Sequence, residues 1–173
     1  MNSLIITIIF LIAAGLITGS ILLWTIRLGI GPTPTSRKVR MAIIDILPSN
    51  LSGDIMELGC GWGHLVPILR EKYPDKKIEY WERSPVPAIF TRAVYGIDVK
   101  RKDFFDADFC NAQLIMCYLF PDAMKRIETE IIPQLPKGCW VLTHTFRLSG
   151  RKPIKVIKAD DLYKTPVYLY QIL

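Results

Sequence analysis

The chain has 173 residues, half of them hydrophobic, and a net charge of +6 at neutral pH. That length suits one ordinary domain, and a modest, dispersed charge excludes the dense basic face of a nucleic-acid binder, so no nucleic acid is expected as partner. Four widely spaced cysteines without a CxxC pair and two isolated histidines offer no zinc-like ligand set, so no metal is expected, and they point to free thiols in a reducing compartment.

The hydrophobic excess sits at the N-terminus. Met1 to Ile26 carries no charged side chain. As a helix, Leu4–Ile26 is roughly 23 residues and about 35 Å long, enough to cross a hydrocarbon core of about 30 Å. A cleaved signal peptide would have a basic start and a shorter apolar core. Residues 1–27 are therefore predicted to be a single transmembrane helix anchoring the chain in the bilayer, with Trp24 near one interface. Arg27, Arg37, Lys38 and Arg40 follow before the first acid, Asp45. The positive-inside bias then places the rest of the chain on the cytoplasmic side.

Residues 28–37 hold Gly29, Gly31, Pro32 and Pro34 and read as a linker. The domain then runs over 38–173. Thr35 or Ser36 caps a helix with Val39, Ala42, Ile43 and Ile46 on one face, ended by Pro48. Beyond it, strands and helices alternate. "GDIMEL" is a short buried strand and "GHLVPILREKY" a helix with Leu65, Ile68 and Leu69 inward. "KKIEYWE" is a strand, and "SPVPAIFTRAVYG" a helix capped by Ser84, started by Pro85 and ended by Gly96. "DVKRKDFF" is a third strand and "QLIMCYLF" a fourth, apolar almost throughout, as in a strand buried on both faces. "PDAMKRIETEIIPQL" is a helix with Ala123, Ile127, Ile131 and Leu135 on one side, followed by the strand "CWVLTHTF". "PIKVIKA" and "TPVYLYQIL" close the chain as an antiparallel hairpin. The pattern predicts an α/β, Rossmann-like, mainly parallel sheet.

The loop Glu57-Leu58-Gly59-Cys60-Gly61-Trp62-Gly63 lies at the end of the first strand, where α/β sheets bind ligands. Its glycines allow tight turning and close ligand approach. A dinucleotide loop reads GxGxxG and presents its helix to a pyrophosphate. Here the third glycine comes one place early, and Glu57 precedes the loop, which suits an ammonium group better than a phosphate. Glu82, at the end of the second strand, is placed to accept two hydrogen bonds from a ribose diol. Asp103, at the end of the third, followed by Phe104, suits an adenine amino group held against an apolar wall. Three acids at successive strand ends describe an adenosine with cationic substituents and no phosphate, which fits S-adenosylmethionine.

With these residues the chain resembles the class I S-adenosylmethionine-dependent methyltransferases from about Gly31 to the C-terminus. "GPTPTSRKV", "ELGCGWGHLV", "ERSPV", "DFF", "YLFPDAM", "IETEIIPQLPKGCWVLTHTF" and "KPIKV" resemble a narrower group. These are the membrane-anchored protein-lysine methyltransferases of the adenine nucleotide translocase and ATP synthase c subunit, with their short prokaryotic relatives. The resemblance implies cofactor contacts at Glu57, Gly59, Gly61, Glu82 and Asp103, with Cys60 and Gly63 in the same loop. It also implies a substrate channel built by Tyr118, Leu119, Phe120 and Pro121, and a protein substrate embedded in or attached to the membrane. The chain departs from the family pattern at Trp62, where many relatives carry a small or acidic residue, and at Val86.

In-line methyl transfer is mainly a matter of alignment. A lysine amine must first be neutral, and an apolar channel lowers its pKa. Aromatic rings there also attract the cationic group. Tyr118 is the best candidate to orient the amine. His144 reads as a hydrogen-bonded structural histidine and Cys117 as packing. A lipid or small-molecule methyltransferase at the membrane, or a non-catalytic cofactor-binding scaffold, is the alternative.

Overall fold

The computed structural model describes residues 3–29 and 31–173. Met1 and Asn2 of the predicted anchor, and Ile30 of the predicted linker, lie outside it. The first helix, α1, spans Ser3–Leu28 with no buried residue along it. Its length and apolar composition are sufficient to cross a membrane.

Helix α2 (Arg37–Ile46) starts where Ser36 accepts the Val39 amide, and it buries Val39, Ala42, Ile43 and Ile46, the predicted face. Then come β1 (Asp54–Leu58), α3 (Val66–Lys72), β2 (Ile78–Trp81), α4 (Pro85–Tyr95) and β3 (Val99–Lys100). After a turn follow β4 (Ala112–Cys117), α5 (Pro121–Arg126), β5 (Trp140–His144), β6 (Lys155–Lys158) and β7 (Pro166–Gln171). They form one seven-stranded sheet ordered β3-β2-β1-β4-β5-β7-β6. The first five strands in that order are parallel, and β7 runs antiparallel between β5 and β6. The α/β fold with its C-terminal hairpin is thus as predicted.

Hydrophobic residues of β1 alternate between the two faces: Ile55 packs with α2 and α3, whereas Met56 and Leu58 pack with α5. The chain moves outward from β1 through β2 to β3 and then returns to β4 on the other side of β1. The strand order therefore switches between β1 and β4, and their C-terminal ends open a crevice there.

Three predicted elements depart from the sequence pattern in ways that have a local cause. Helix α3 begins at Val66 because Gly63, at φ +73°, and two tight turns take up the preceding residues. Strand β3 pairs over two residues only, and Asp103 lies beyond it, capping a single 3-10 turn at Phe104–Asp106. The helix after β4 stays α-helical only to Arg126. It widens into a π turn at Ile127–Ile131 and ends as a 3-10 turn at Ile132–Gln134. Pro133 has no amide for the helical ladder, and its ring clashes with the carbonyl one turn earlier.

Candidate active site

Above the β1/β4 switch point lies a cavity of about 250 Å³. Its wall includes Glu57 near the end of β1, Gly59, Cys60 and Gly61 from the loop that follows, Glu82 after β2, and Asp103 and Phe104 after β3. Tyr118, Leu119 and Phe120 close it after β4, and His144 at the end of β5. Gly63 and Pro121, also expected at the site, are not among the residues lining this cavity. Gly63 instead lets the loop press on α4, where a Cβ would come within 2.7 Å of Thr91 and Tyr95. Pro121 is the first residue of α5.

The three acids are in three different states. Glu82 is buried and engaged through both oxygens: Oε2 accepts the Gly61 amide at 2.9 Å and Oε1 accepts the Ser84 amide at 2.7 Å. Ser84 occupies the N-cap of α4, but its hydroxyl makes no capping bond. Asp103 accepts the Phe105 amide and pairs with the Arg83 guanidinium at 2.8 Å. Glu57 is different. It is buried, and its Oε2 has no hydrogen-bond partner. Burial and the nearby charge of Glu82 push its carboxyl up to about 8.

The wall formed after β4 and by the end of β5 is aromatic. Tyr118 stacks on His144 with ring centroids 4.2 Å apart, and Phe146 lies parallel to Tyr118 at 6.3 Å. The His144 Nδ1 sits 3.1 Å from Thr145 Oγ1, while its buried Nε2 has no partner. Burial lowers its pKa to about 4, so the ring is neutral at physiological pH. Thr145 holds this arrangement at a φ of +66°, a region rarely adopted by a β-branched residue. The expected hydrogen-bonded histidine thus has a partner on one nitrogen and none on the other. Cys117 is packing, as expected. It is buried beside Met124, and its thiol is pushed up to about 12.

Sequence reasoning missed one wall. Arg27 and Leu28 of α1, and Gly31, Pro32, Thr33 and Thr35 of the linker, also line the cavity. The Trp62 indole donates to the Pro32 carbonyl, and its ring meets Phe90 edge-on. Gly29, at φ +71°, lies under the Phe120 ring, where a Cβ would fall 2.9 Å from it. The linker is thereby part of the site. Glycines and prolines carry no periodicity that would announce this.

These features fit S-adenosylmethionine. The orphaned Glu57 oxygen is an acceptor of the kind an ammonium group satisfies. At Gly61 a Cβ would meet nothing within 4 Å, so the loop backbone is open on its ligand side. Among the described residues no cluster of histidine, cysteine or acidic side chains is arranged to hold a metal ion.

Sheet order and cavity position define the class I methyltransferase fold. Solved structures share it. An RNA methyltransferase from Salinibacter ruber in complex with S-adenosyl-L-homocysteine superposes with a TM-score of 0.67 at 21% identity, over 81% of this chain and 94% of that one. An S-adenosylmethionine-dependent O-methyltransferase from Thermotoga maritima gives 0.61 at 12% identity, over 82% and 67%. Residues 57–155 match the ANTKMT methyltransferase domain, and the chain belongs to that family of S-adenosylmethionine-dependent methyltransferases. A curated protein-lysine N-methyltransferase from Saccharolobus islandicus (strain REY15A) is 26% identical over 147 residues, covering 80% of this chain and 91% of that protein.

Proposed function

We propose that this methyltransferase modifies protein lysine side chains from a position on the membrane. The stacked rings of Tyr118 and His144 in the cavity wall, with Phe146 parallel to Tyr118, carry the reading, because they offer an aromatic, uncharged surface to an amine. The similarity to a protein-lysine N-methyltransferase and the membership of the family support it.

S-adenosylmethionine, when bound, supplies an electrophilic methyl group. Glu57 would hold its ammonium group, which would favour the ionised carboxylate. Glu82, which keeps acceptor capacity beyond its two amide bonds, would hold the ribose hydroxyls, and Asp103 with Phe104 would take the adenine. Gly59, Cys60 and Gly61 give the backbone its close approach, with Gly63 as support. On the other side, Tyr118 and Phe120 desolvate the lysine amine and favour its neutral form. Tyr118 orients it, and Pro121 fixes the start of α5 behind the channel. Alignment of amine, methyl and sulfur then supplies most of the rate enhancement.

Residues 1–27 are read as a single-pass anchor, 28–37 as a linker and 38–173 as the catalytic domain. The basic residues after α1 favour the cytoplasmic side for that domain. The substrate is a protein in or at the same membrane.

The test is methyl transfer from labelled S-adenosylmethionine by the full chain into a membrane extract, followed by mass spectrometry of the labelled fraction. Methyl-lysine in a membrane protein is expected. Label confined to the lipid would overturn the lysine reading.

A further inference from the structure

A helix on the surface of a water-soluble domain shows charged or polar residues outward. Helix α4 does not. Its inner side buries Pro87, Ala88 and Thr91. Its outer stripe is Val86, Ile89, Phe90, Ala93 and Val94, spaced i, i+3, i+4, i+7 and i+8. Ile89, Phe90 and Val94 are 59%, 45% and 54% exposed. Arg92, the helix's sole charge, is turned aside to Asp98 and the Val99 carbonyl.

The place of this stripe says what covers it. The start of α4 packs on the last third of α1, with Pro85, Val86 and Pro87 across a crevice from Ser20, Ile21 and Trp24. The guanidiniums of Arg27 and Arg83 lie 5.6 and 5.9 Å from the Trp24 ring centroid. A tryptophan flanked by two arginines is the composition of a membrane–water interface, with the cations at headgroup level. Val86, the first residue of the apolar stripe of α4, lines the same crevice as Trp24.

We propose that α4 is a second membrane contact: its outer stripe is seated in the interfacial layer of the bilayer that α1 crosses. The inference rests on the reading of α1 as a membrane span. The catalytic domain then lies against the lipid instead of hanging from a free tether. Phe90 carries the contact to Trp62 and so to the linker wall of the cavity. The acceptor lysines within reach are those close to the bilayer surface.

The experiment uses the full chain with Cys110→Ser, which removes the one exposed cysteine among the described residues. Nitroxide labels at Ile89→Cys, Val94→Cys, Phe10→Cys and Lys137→Cys are read in phosphatidylcholine–phosphatidylglycerol vesicles. Accessibility to oxygen reports lipid, and accessibility to a nickel chelate reports water. The oxygen-to-nickel ratio at 89 and 94 is expected to exceed that at 137 and to approach that at 10, because an interfacial helix buries its apolar face at the headgroup–acyl boundary. A water-like ratio at 89 and 94, with a lipid-like ratio at 10, would overturn the proposal and leave the anchor standing. A water-like ratio at 10 would remove the anchor and the proposal together. Shielding of 89 and 94 from both reagents would mean a protein surface, such as a second copy, covers the stripe, and would also overturn it.

Discussion

Glu82 accepts the amide of Gly61 from across two strand ends, at 2.9 Å. The second glycine of the loop is therefore held in place by the acid that the cofactor ribose would meet. With its other oxygen on the Ser84 amide, one carboxylate fixes both the glycine loop and the start of α4.

Replacing Glu82 by Ala removes two charge-assisted hydrogen bonds, each worth about 1.5–3 kcal/mol, and leaves a buried amide at Ser84 unpaired. Cofactor affinity is expected to fall more than tenfold, with a lower thermal midpoint. Glu82→Gln keeps one acceptor and lands between the two. Equilibrium binding of labelled S-adenosylmethionine reads this, and an unchanged affinity in the alanine variant would remove Glu82 from the site.

Glu57 gives a proton-linked prediction. Its pKa in the folded chain is about 8, well above the ordinary value of 4.5. Between these values the native state binds a proton that the unfolded state has released, so stability falls as pH rises through this window. A cationic group beside Glu57 reverses the preference. Cofactor binding at pH 7 is expected to release a proton, and affinity to rise with pH toward 8. Calorimetry in buffers of different ionisation enthalpy measures the release. Glu57→Gln should abolish it and weaken binding by about ten- to a hundredfold, as for loss of a charged hydrogen bond. Buffer-independent heats for the unsubstituted chain would refute the assignment.

Much of this site was legible because acids at strand ends announce themselves by spacing. Glu57, Glu82 and Asp103 each follow a β-like run, and each lines the cavity. Their individual states were not legible. That Glu82 is engaged and Glu57 orphaned depends on how the Gly61 amide turns. Similarly, Ile127 and Ile131 read correctly as buried, but the π turn between them depends on Pro133, two residues further on. The linker was least legible, since Pro32 meets Trp62 thirty positions along the chain.

His144 predicts the opposite pH dependence. Its pKa lies near 4, below the ordinary 6.5. Between the two, the unfolded chain takes up a proton that the native state refuses. Stability contributed by neutral His144 is thus present above 6.5 and lost as pH falls toward 4, by up to about 3 kcal/mol. Glu57 slopes the other way over part of this range, so the difference between the unsubstituted chain and His144→Gln is the informative quantity. Urea midpoints from pH 7 to 4.5 should converge as the pH falls. Parallel profiles would show that His144 is not held neutral. Tyr118→Ala, which removes the ring stacked on it, should lower methyl transfer to lysine by more than tenfold, with cofactor binding little changed.

The linker wall makes the last prediction. Trp62→Phe keeps an aromatic ring against Phe90 but deletes the donor to Pro32. A neutral hydrogen bond contributes about 1 kcal/mol, so the loss shifts the linker equilibrium several-fold toward release without unfolding the domain. Thr33 and Thr35 would leave the cavity wall with it, and Arg37 would become a better tryptic site. Faster cleavage at Arg37 is expected, together with a higher KM for the acceptor and a near-constant thermal midpoint. If Trp62 acted only as packing, the phenylalanine variant would match the original chain in both cleavage rate and KM. A change in cleavage alone would mean that the linker closes over the cavity without helping to shape the acceptor's route.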